Sequence, residues 1–498
     1  MPNIPLNFGT GMIRPATVHD AKGRFWDGNL VRWRDGALQP FGGWTTAYAS
    51  TGAGDRNTKP IRGMMAYQVD IVTRQRRMAY GTYEKAFQYA EDGSNYAITP
   101  GGFVAGLQHA TLSGGSTSEA TSWSFDTMNS DLIAFGGRQD GLLYYLSYLS
   151  AVTVDLALIS TIGGAVGVPT GNVAGVVVTP ENFLFALGAN AYPKRVQWPD
   201  QGGYVSWTPA STNQAGGYDL PTSGWIQAGK KGRGITLIWT DVDLWTARYT
   251  GDSFVYRFDL AGSECGAISK RSMAMVDGRA YWMGRRGFFM WDGFVRPIAC
   301  PVGDYVFSRL LQNYQRSKVA AIPNTDFGEI TWVYPSGSSS TAECDSYVTY
   351  NYLLDIWYLG FWNRTDGIDR MFWENPIYGA VSGALYAHEN ATTYTEEDSS
   401  SLTPYIESGP LGLGEEDNVY MVRNWIPDAN TTTGVTLTLF SKLYPTGSET
   451  SNGPYTASIS PPTGMRVTAR EVRCKYIQSA AGWRIGTPYL EVVSRGKR

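Results

Sequence analysis

The chain has 498 residues, a net charge of −3, 43% hydrophobic and 17% charged residues, and is rich in Gly (58), Trp (17) and Tyr (31). The near-neutral balance excludes a protein that wraps nucleic acid by neutralising phosphates. The aromatic-rich, charge-poor composition excludes a helical bundle and favours β-structure with many tight turns.

The chain opens with MPNIPLNFGTGMIRP, which has no apolar leader core. The stretch FWDGNLVRWRDGALQPFGGW, 25–44, then places Asp27-Gly28 and Asp35-Gly36 around N-L-V-R-W-R. Asp-Gly suits a type I′ turn, where both central residues take positive φ, so each pair predicts a hairpin. Val31 and Trp33 fall on one face of the ribbon and Arg32 and Arg34 on the other. The expectation is that Val31 and Trp33 pack inward. Arg32 and Arg34 are expected to point outward to a carboxylate-bearing neighbour, with the strand adding to an exposed sheet edge of its own ring or of another subunit.

Further Asp-Gly pairs follow at 92, 140, 277, 292 and 366. The clearest region is SMAMVDGRAYWMGRRGFFMWDGFVRPI, 272–298, which reads as four antiparallel strands in meander order. That is the unit of a β-propeller blade. Inner strands are expected near 63–67, 122–126, 173–178, 234–239, 272–276, 318–322 and 371–375. The reading is an all-β, irregular β-propeller of six or seven blades with a C-terminal β-sandwich-like unit. It divides into an N-terminal arm and ribbon strand (1–60), the propeller (61–400) and the C-terminal unit (401–498). Separate β-sandwiches would also make many hairpins at regular intervals.

One helix is expected after the meander, capped by Asp304, with Phe307, Leu310, Leu311 and Tyr314 on one face. Near 395–418 the acidic, loop-like TEEDSSSLTP and GLGEEDN mark a boundary. Alternating strands VTLTLFSKLY, TASIS, MRVTAREVRCKYI and TPYLEVVS follow, with SETSNGPY, 448–455, as a polar loop tip.

Residues for chemistry are sparse. The three histidines, His19, His109 and His388, and the four cysteines, Cys265, Cys300, Cys344 and Cys474, form no zinc-ligand spacing or disulfide framework. WPDQGGYVSW has Asp200, Gly203 and Trp207 in the manner of a single sialidase Asp box. Asp241 and Asp243 read as turn residues. No catalytic residue, metal or cofactor is expected. The basic clusters Arg74/Arg76/Arg77, Lys230/Lys231/Arg233 and Arg285/Arg286 fall in predicted turns, solvated or in contact with partners. Val31, Arg32, Trp33, Arg34, Arg285 and Arg286 are the candidate assembly residues.

Several segments together resemble the tail nozzle or tail hub proteins of short-tailed bacteriophages. They are RDGALQPFGGW, YAEDGSNYAITP, PKRVQWPDQGGYVSWTP, LIWTDVDLWTARYTGD, ECGAISKRSMAMVDGRAYWMGRRGFFMWDG and GWRIGTPYLEVV, covering roughly 25 to 490. The resemblance implies a structural protein of the virion tail, made in the host cytoplasm, with a β-propeller body. It implies a homo-hexameric ring below the head-to-tail adaptor, a channel through which genome DNA passes without specific binding, and surfaces for tail fibres or spikes. The chain is short for this family, so inserted tip domains are expected to be reduced. The other class kept open is an extracellular carbohydrate-binding or glycoside-hydrolase propeller, with carboxylates at the mouth of its central channel.

Overall fold

A computed structural model describes residues 3–50, 57–69, 75–107, 119–311, 313–337, 342–414, 418–428, 434–444 and 447–497. Among them, seven four-stranded antiparallel sheets follow one another, six in full meander order and the seventh with its fourth strand drawn from the start of the chain. Their first strands are Met64–Gln68, Ser124–Met128, Gly175–Val178, Ile226–Lys231, Met273–Val276, Ala320–Asn324 and Arg364–Ile368. We number the blades 1 to 7 in that order. Apolar clusters seal each blade against the next. Trp123 and Leu132 join blades 1 and 2, Val176 and Phe135 blades 2 and 3, and Phe185 and Tyr256 blades 3 and 4. Trp239 and Trp282 join blades 4 and 5, Phe288 and Trp332 blades 5 and 6, and Tyr80 and Ile377 close the circle between 7 and 1. The molecule is all-β, and this ring is a β-propeller.

Blade 7 is closed by the chain's own beginning. Its fourth strand is Gly43–Tyr48, paired with Leu385–Ala391. Closure joins strands some 340 residues apart, so the ring can be complete only when both ends of the propeller are in place.

The remaining strands form two facing sheets. One contains Asn418–Ile426, Thr463–Ala469 and Tyr489–Lys497; the other contains Tyr405–Ser408, Thr436–Lys442, Thr450–Thr456 and Glu471–Ile477. Buried and half-exposed residues alternate along Thr436–Lys442 and Glu471–Ile477, as expected for strands with one face in a core. The 1–60 segment is not a separate arm. Asn3–Pro5 adds to one sheet and Arg24–Asn29 to the other, so the sandwich is built from both ends of the chain. The last propeller strand ends at Ala391 and the sandwich resumes at Tyr405.

Several local expectations need correction. Asp27-Gly28 and Asp366-Gly367 are not turns; both lie inside strands, beside register shifts. A bulge accommodates the same dipeptide, with the strand bent instead of reversed. The inner strand of blade 4 is Ile226–Lys231, and the expected 234–239 is largely its second strand. The run 371–375 is a turn in blade 7, where Trp373 packs on Tyr89 of blade 1. The 448–455 stretch contains the strand Thr450–Thr456 in place of a loop tip, whereas TASIS is mostly outside strands. The helix is Gly303–Arg309, and Asp304 sits in its first turn without capping it. Leu310 ends it at a bridge to Ser336, and the Tyr314 side chain lies outside the described residues.

Candidate functional site

The opening ribbon forms as a hairpin, Val31–Arg34 against Ala37–Pro40. Its turn is Asp35-Gly36, with φ of 52° and 78°, the left-handed pair a type I′ turn requires. Val31 and Trp33 are buried, as the alternation implied. Trp33 lies 5.6 Å from the Phe25 ring of the sandwich and 5.9 Å from Tyr358 of blade 6.

Arg32 departs from expectation. It is buried, and the carboxylates it meets belong to its own chain. Its Nη2 donates to Glu329 at 3.0 Å, with Nε in ion-pair contact with the same carboxylate at 2.8 Å, and Nη2 and Nη1 donate to Glu389 at 2.6 and 3.0 Å. Phe327 and Phe41 flank the guanidinium at 3.7 and 4.2 Å. Tyr358 donates its hydroxyl to Glu329, and the Gly42 amide donates to Glu389 at 2.8 Å. Burial opposes the Arg32 charge, but the two carboxylates outweigh it and hold the guanidinium protonated. Both faces of the ribbon are covered because it lies between two bodies. Arg34 does reach solvent, 54% exposed and 3.8 Å from Asp35 of the exposed turn.

The ribbon does not extend a blade. It pairs at Leu38 with Ile485 of the sandwich through mutual backbone bonds of 3.1 and 2.9 Å. On the propeller side, the Tyr347 hydroxyl accepts the amide of Leu30, just before the ribbon, at 2.8 Å. Asn29 accepts the Phe361 amide at the same distance. The ribbon is therefore the joint between propeller and sandwich, and the strand after it closes the ring.

Arg285 and Arg286 lie elsewhere, in the second turn of blade 5. Arg285 pairs with Asp241 of blade 4 at 2.6 Å, and Arg286 is exposed. Meander topology fixes where turns sit: first and third turns share one axial end, and second turns share the other with the links between blades. Glu329 and Glu389 follow a first turn and end a third strand, so the Arg32 cluster and the Arg285 turn lie at opposite ends.

At the second-turn end, charges not singled out in the sequence reach across the propeller axis. Arg62, before blade 1, pairs with Glu343 of blade 6. Lys318, before blade 6, pairs with the same carboxylate at 2.9 Å and donates to the Ala342 carbonyl at 2.7 Å. Lys270, before blade 5, meets Glu119 before blade 2 at 3.5 Å and the Val173 carbonyl before blade 3 at 2.6 Å. Arg271 reaches Asp366 of blade 7 at 2.7 Å, and the Ala120 amide donates to Ser317 at 3.0 Å. Apart from those of Lys318, which stay at blade 6, these contacts join non-neighbouring blades, so paired groups of the protein itself stopper this mouth of the axis. A cavity of about 200 Å³ remains beside the stopper, lined by Glu119, Arg138 and Lys270 among others. The signal was present as a charge just before several inner strands, but no local pattern joins residues so far apart in sequence.

Burial, with the nearby Arg62 charge, pushes Lys318 down to about 8 against the pull of Glu343. Between pH 8 and 10.5 the folded lysine is neutral while the unfolded one is charged, so the unfolded state binds more protons and stability rises with pH. Lys318→Met is expected to remove that rise, on the order of 3 kcal/mol across the window. Urea titrations of both proteins between pH 7.5 and 10.5 check it; parallel curves would refute it.

The other candidates are structural. His388 is buried, and its Nε2 accepts from Arg364 at 3.0 Å; burial and then the Arg364 charge hold it well below the usual histidine range. His109 and Arg74 lie outside the described residues. Arg77 is buried within a strand, donating to the Ser150 carbonyl. Asp200 accepts the Gln214 amide at 2.8 Å, and Trp207 is fully buried. All four cysteines are free, and burial raises the Cys265 thiol to about 11 and the other three to about 12. Among the described residues no group of three His, Cys, Asp or Glu side chains could hold a metal.

No protein-family model and no curated protein matches the sequence. Solved structures similar to the chain include BamB from Moraxella catarrhalis, at 9% identity and a TM-score of 0.38 over 72% of this chain and 95% of that one. The Pan2 WD40 domain of Neurospora crassa is similar at 9% identity and a TM-score of 0.39, over 73% and 99% of the two chains. A gluconolactonase from Xanthomonas campestris is similar at 9% identity and a TM-score of 0.31, over 78% and 97%. The chain's own topology defines it as a β-propeller protein with an attached β-sandwich.

Proposed function

We propose that this chain is a structural subunit of a short-tailed bacteriophage tail, of the nozzle or hub type, and not an enzyme. The observation that carries the reading is the stoppered axis. The channel mouth, where a propeller hydrolase would present carboxylates to substrate, holds two paired groups, Glu343 with Arg62 and Lys318, and Glu119 with Lys270. A rigid joint between two bodies, locked by a buried ion cluster, suits a load-bearing part of an assembly.

The same geometry bears on where a genome would pass. Seven blades spaced about 10 Å apart make a circle of about 70 Å, or about 22 Å between opposite strands. Strand thickness leaves about 12 Å, no more than the major groove alone of a B-form duplex. In this reading the DNA channel lies between copies in a ring of about six, assembled below the head-to-tail adaptor, with fibres or spikes on the outside. A six-fold ring uses heterologous contacts that close by rotation.

The test is to mix purified protein with phage heads that lack tails and to sediment the mixture. Co-sedimentation in a fixed ratio to heads is the expected outcome. Protein that never docks, but cleaves or retains a glycan in a parallel screen, would replace this reading with the carbohydrate-active one.

A further inference from the structure

The stretch GTGM near the start of the chain is glycine-rich, yet it opens neither a helix nor a phosphate loop. It folds as the strand Gly9–Met12 of the sandwich, parallel to Arg24–Asn29, and runs along Ile356–Phe361, the outer strand of blade 6. Gly11 has a φ of 76°, and a Cβ there would stand 3.1 Å from that of Ile356. Glycine therefore lets the sandwich strand lie directly on the blade. A Cβ at Gly9 would stand 2.8 Å from Cδ and 2.9 Å from Nε of Arg24, so the missing side chain makes the seat for the arginine stem.

This strand walls a cleft of about 380 Å³ that it shares with blades 5 and 6. The volume falls in the range of small-molecule sites, and a junction of two bodies is a place where such sites recur. Met12, Met290, Ile298, Ile356 and Trp357 are among the apolar residues that line it. Met12 comes from the sandwich and Met290 from blade 5. Their unbranched thioethers adapt to the shape of an apolar guest.

Three charged residues also line the cleft: Arg24, Arg296 and Asp355. Arg296 has Asp292 at 3.5 Å, and Asp355 accepts the Tyr350 hydroxyl at 2.9 Å. Arg24 forms no ion pair among the described residues. Its Nη2 donates to the Thr10 carbonyl at 3.1 Å, and its Nε is buried without an acceptor. The arginine is thus held in place by Gly9 and Thr10 while its charge stays unmatched. Its planar fork has the geometry of a carboxylate partner, and the methionines and isoleucines beside it suit an apolar body.

We propose that this cleft binds a small amphiphile, an apolar body carrying a single carboxylate, with the carboxylate on Arg24 and the body against Met290 and Ile298. Two arginines and one aspartate sum to one positive charge, which matches a monoanion. The walls belong to the propeller and the sandwich together, so a ligand here binds only the assembled joint and stabilises it by mass action. The inference does not rest on the tail reading.

The experiment is calorimetric titration of the full chain at neutral pH with octanoate, and with octanol as its uncharged counterpart. One saturable octanoate site is expected, with a higher melting temperature in its presence. Octanol is expected to bind at least about tenfold more weakly, for want of the charge-assisted bonds to Arg24. Arg24→Gln should bring octanoate down to the octanol level and leave octanol unchanged. Ala299→Trp places a bulky side chain at an exposed position of the cleft wall and should weaken both probes at least about tenfold. Circular dichroism checks that each variant keeps its fold, and the comparison of the two probes on the wild type needs no variant. No saturable site at millimolar octanoate would overturn the proposal. Octanol binding as tightly as octanoate, or octanoate binding unchanged in Arg24→Gln, would overturn the anionic head. Octanoate binding unchanged in Ala299→Trp would overturn the cleft as the site.

Discussion

Replacing Arg32 with alanine is expected to destabilise the protein by about 3–5 kcal/mol, the cost of leaving buried carboxylates without their cation. The guanidinium makes four close contacts to Glu329 and Glu389, which come from blades 6 and 7, while Arg32 comes from the ribbon. One side chain thus ties three parts of the chain together. The loss should come from the stranded acids more than from the missing attraction, because burial already costs each charged group its hydration. Arg32→Met combined with Glu329→Gln and Glu389→Gln should therefore recover much of the loss. Urea denaturation of both variants at neutral pH checks the pair of expectations. A single alanine variant within 1 kcal/mol of wild type, the ordinary range of an exposed ion pair, would show that the cluster is open to water.

Deleting residues 1–48 is expected to abolish folding into a stable, soluble monomer. The deletion removes Asn3–Pro5 and Arg24–Asn29 from the sandwich, the whole ribbon, and Gly43–Tyr48 from blade 7. Blade 7 would then expose the edge of Leu385–Ala391, and open edges of this kind recruit other chains. Phe25, Val31, Trp33 and Trp44 would leave the core at the same time. Core aromatics alone cost about 3–5 kcal/mol each when truncated. Deleting only residues 1–6 removes one short edge strand and should be far milder. Expression, solubility and thermal unfolding of the two truncations compare them; an unchanged melting temperature after the longer deletion would refute the closure.

The architecture was largely legible because meanders are local. Asp-Gly with positive φ at Gly36, Gly93, Gly141, Gly278 and Gly293 marks real turns, and the 272–298 region folds as four strands from its own pattern. Legibility failed where tertiary context chose between two local options. Asp27-Gly28 can turn or bulge, and pairing with Tyr405–Ser408 selects the bulge. The apolar run at 371–375 looks like a buried strand, yet Met371 is exposed while Trp373 packs on the adjacent blade. Ile226–Lys231 looks like a loop because of its Gly and two Lys, yet Gly229 is where a Cβ would collide with Val177 of the preceding blade's inner strand at 2.7 Å.

The ribbon shows the same limit at the candidate site. Alternation correctly separates Val31 and Trp33 from Arg32 and Arg34, but it assigns faces and not surroundings. A second body covers the arginine face at Arg32 and leaves it open at Arg34. The pairings of the axial stopper were not legible, since Arg62 and Glu343 meet only when the ring brings blades 1 and 6 to either side of blade 7.

The central claim is that the propeller axis is sealed and that a genome passes between copies. Cryo-electron microscopy of tail-deficient heads mixed with the protein tests it most directly. The account predicts copies arranged around a common lumen at the docking vertex, each with seven blades and density filling its own axis at Arg62, Lys318 and Glu343. Duplex density running along a propeller axis, or particles that never acquire the protein, would contradict it.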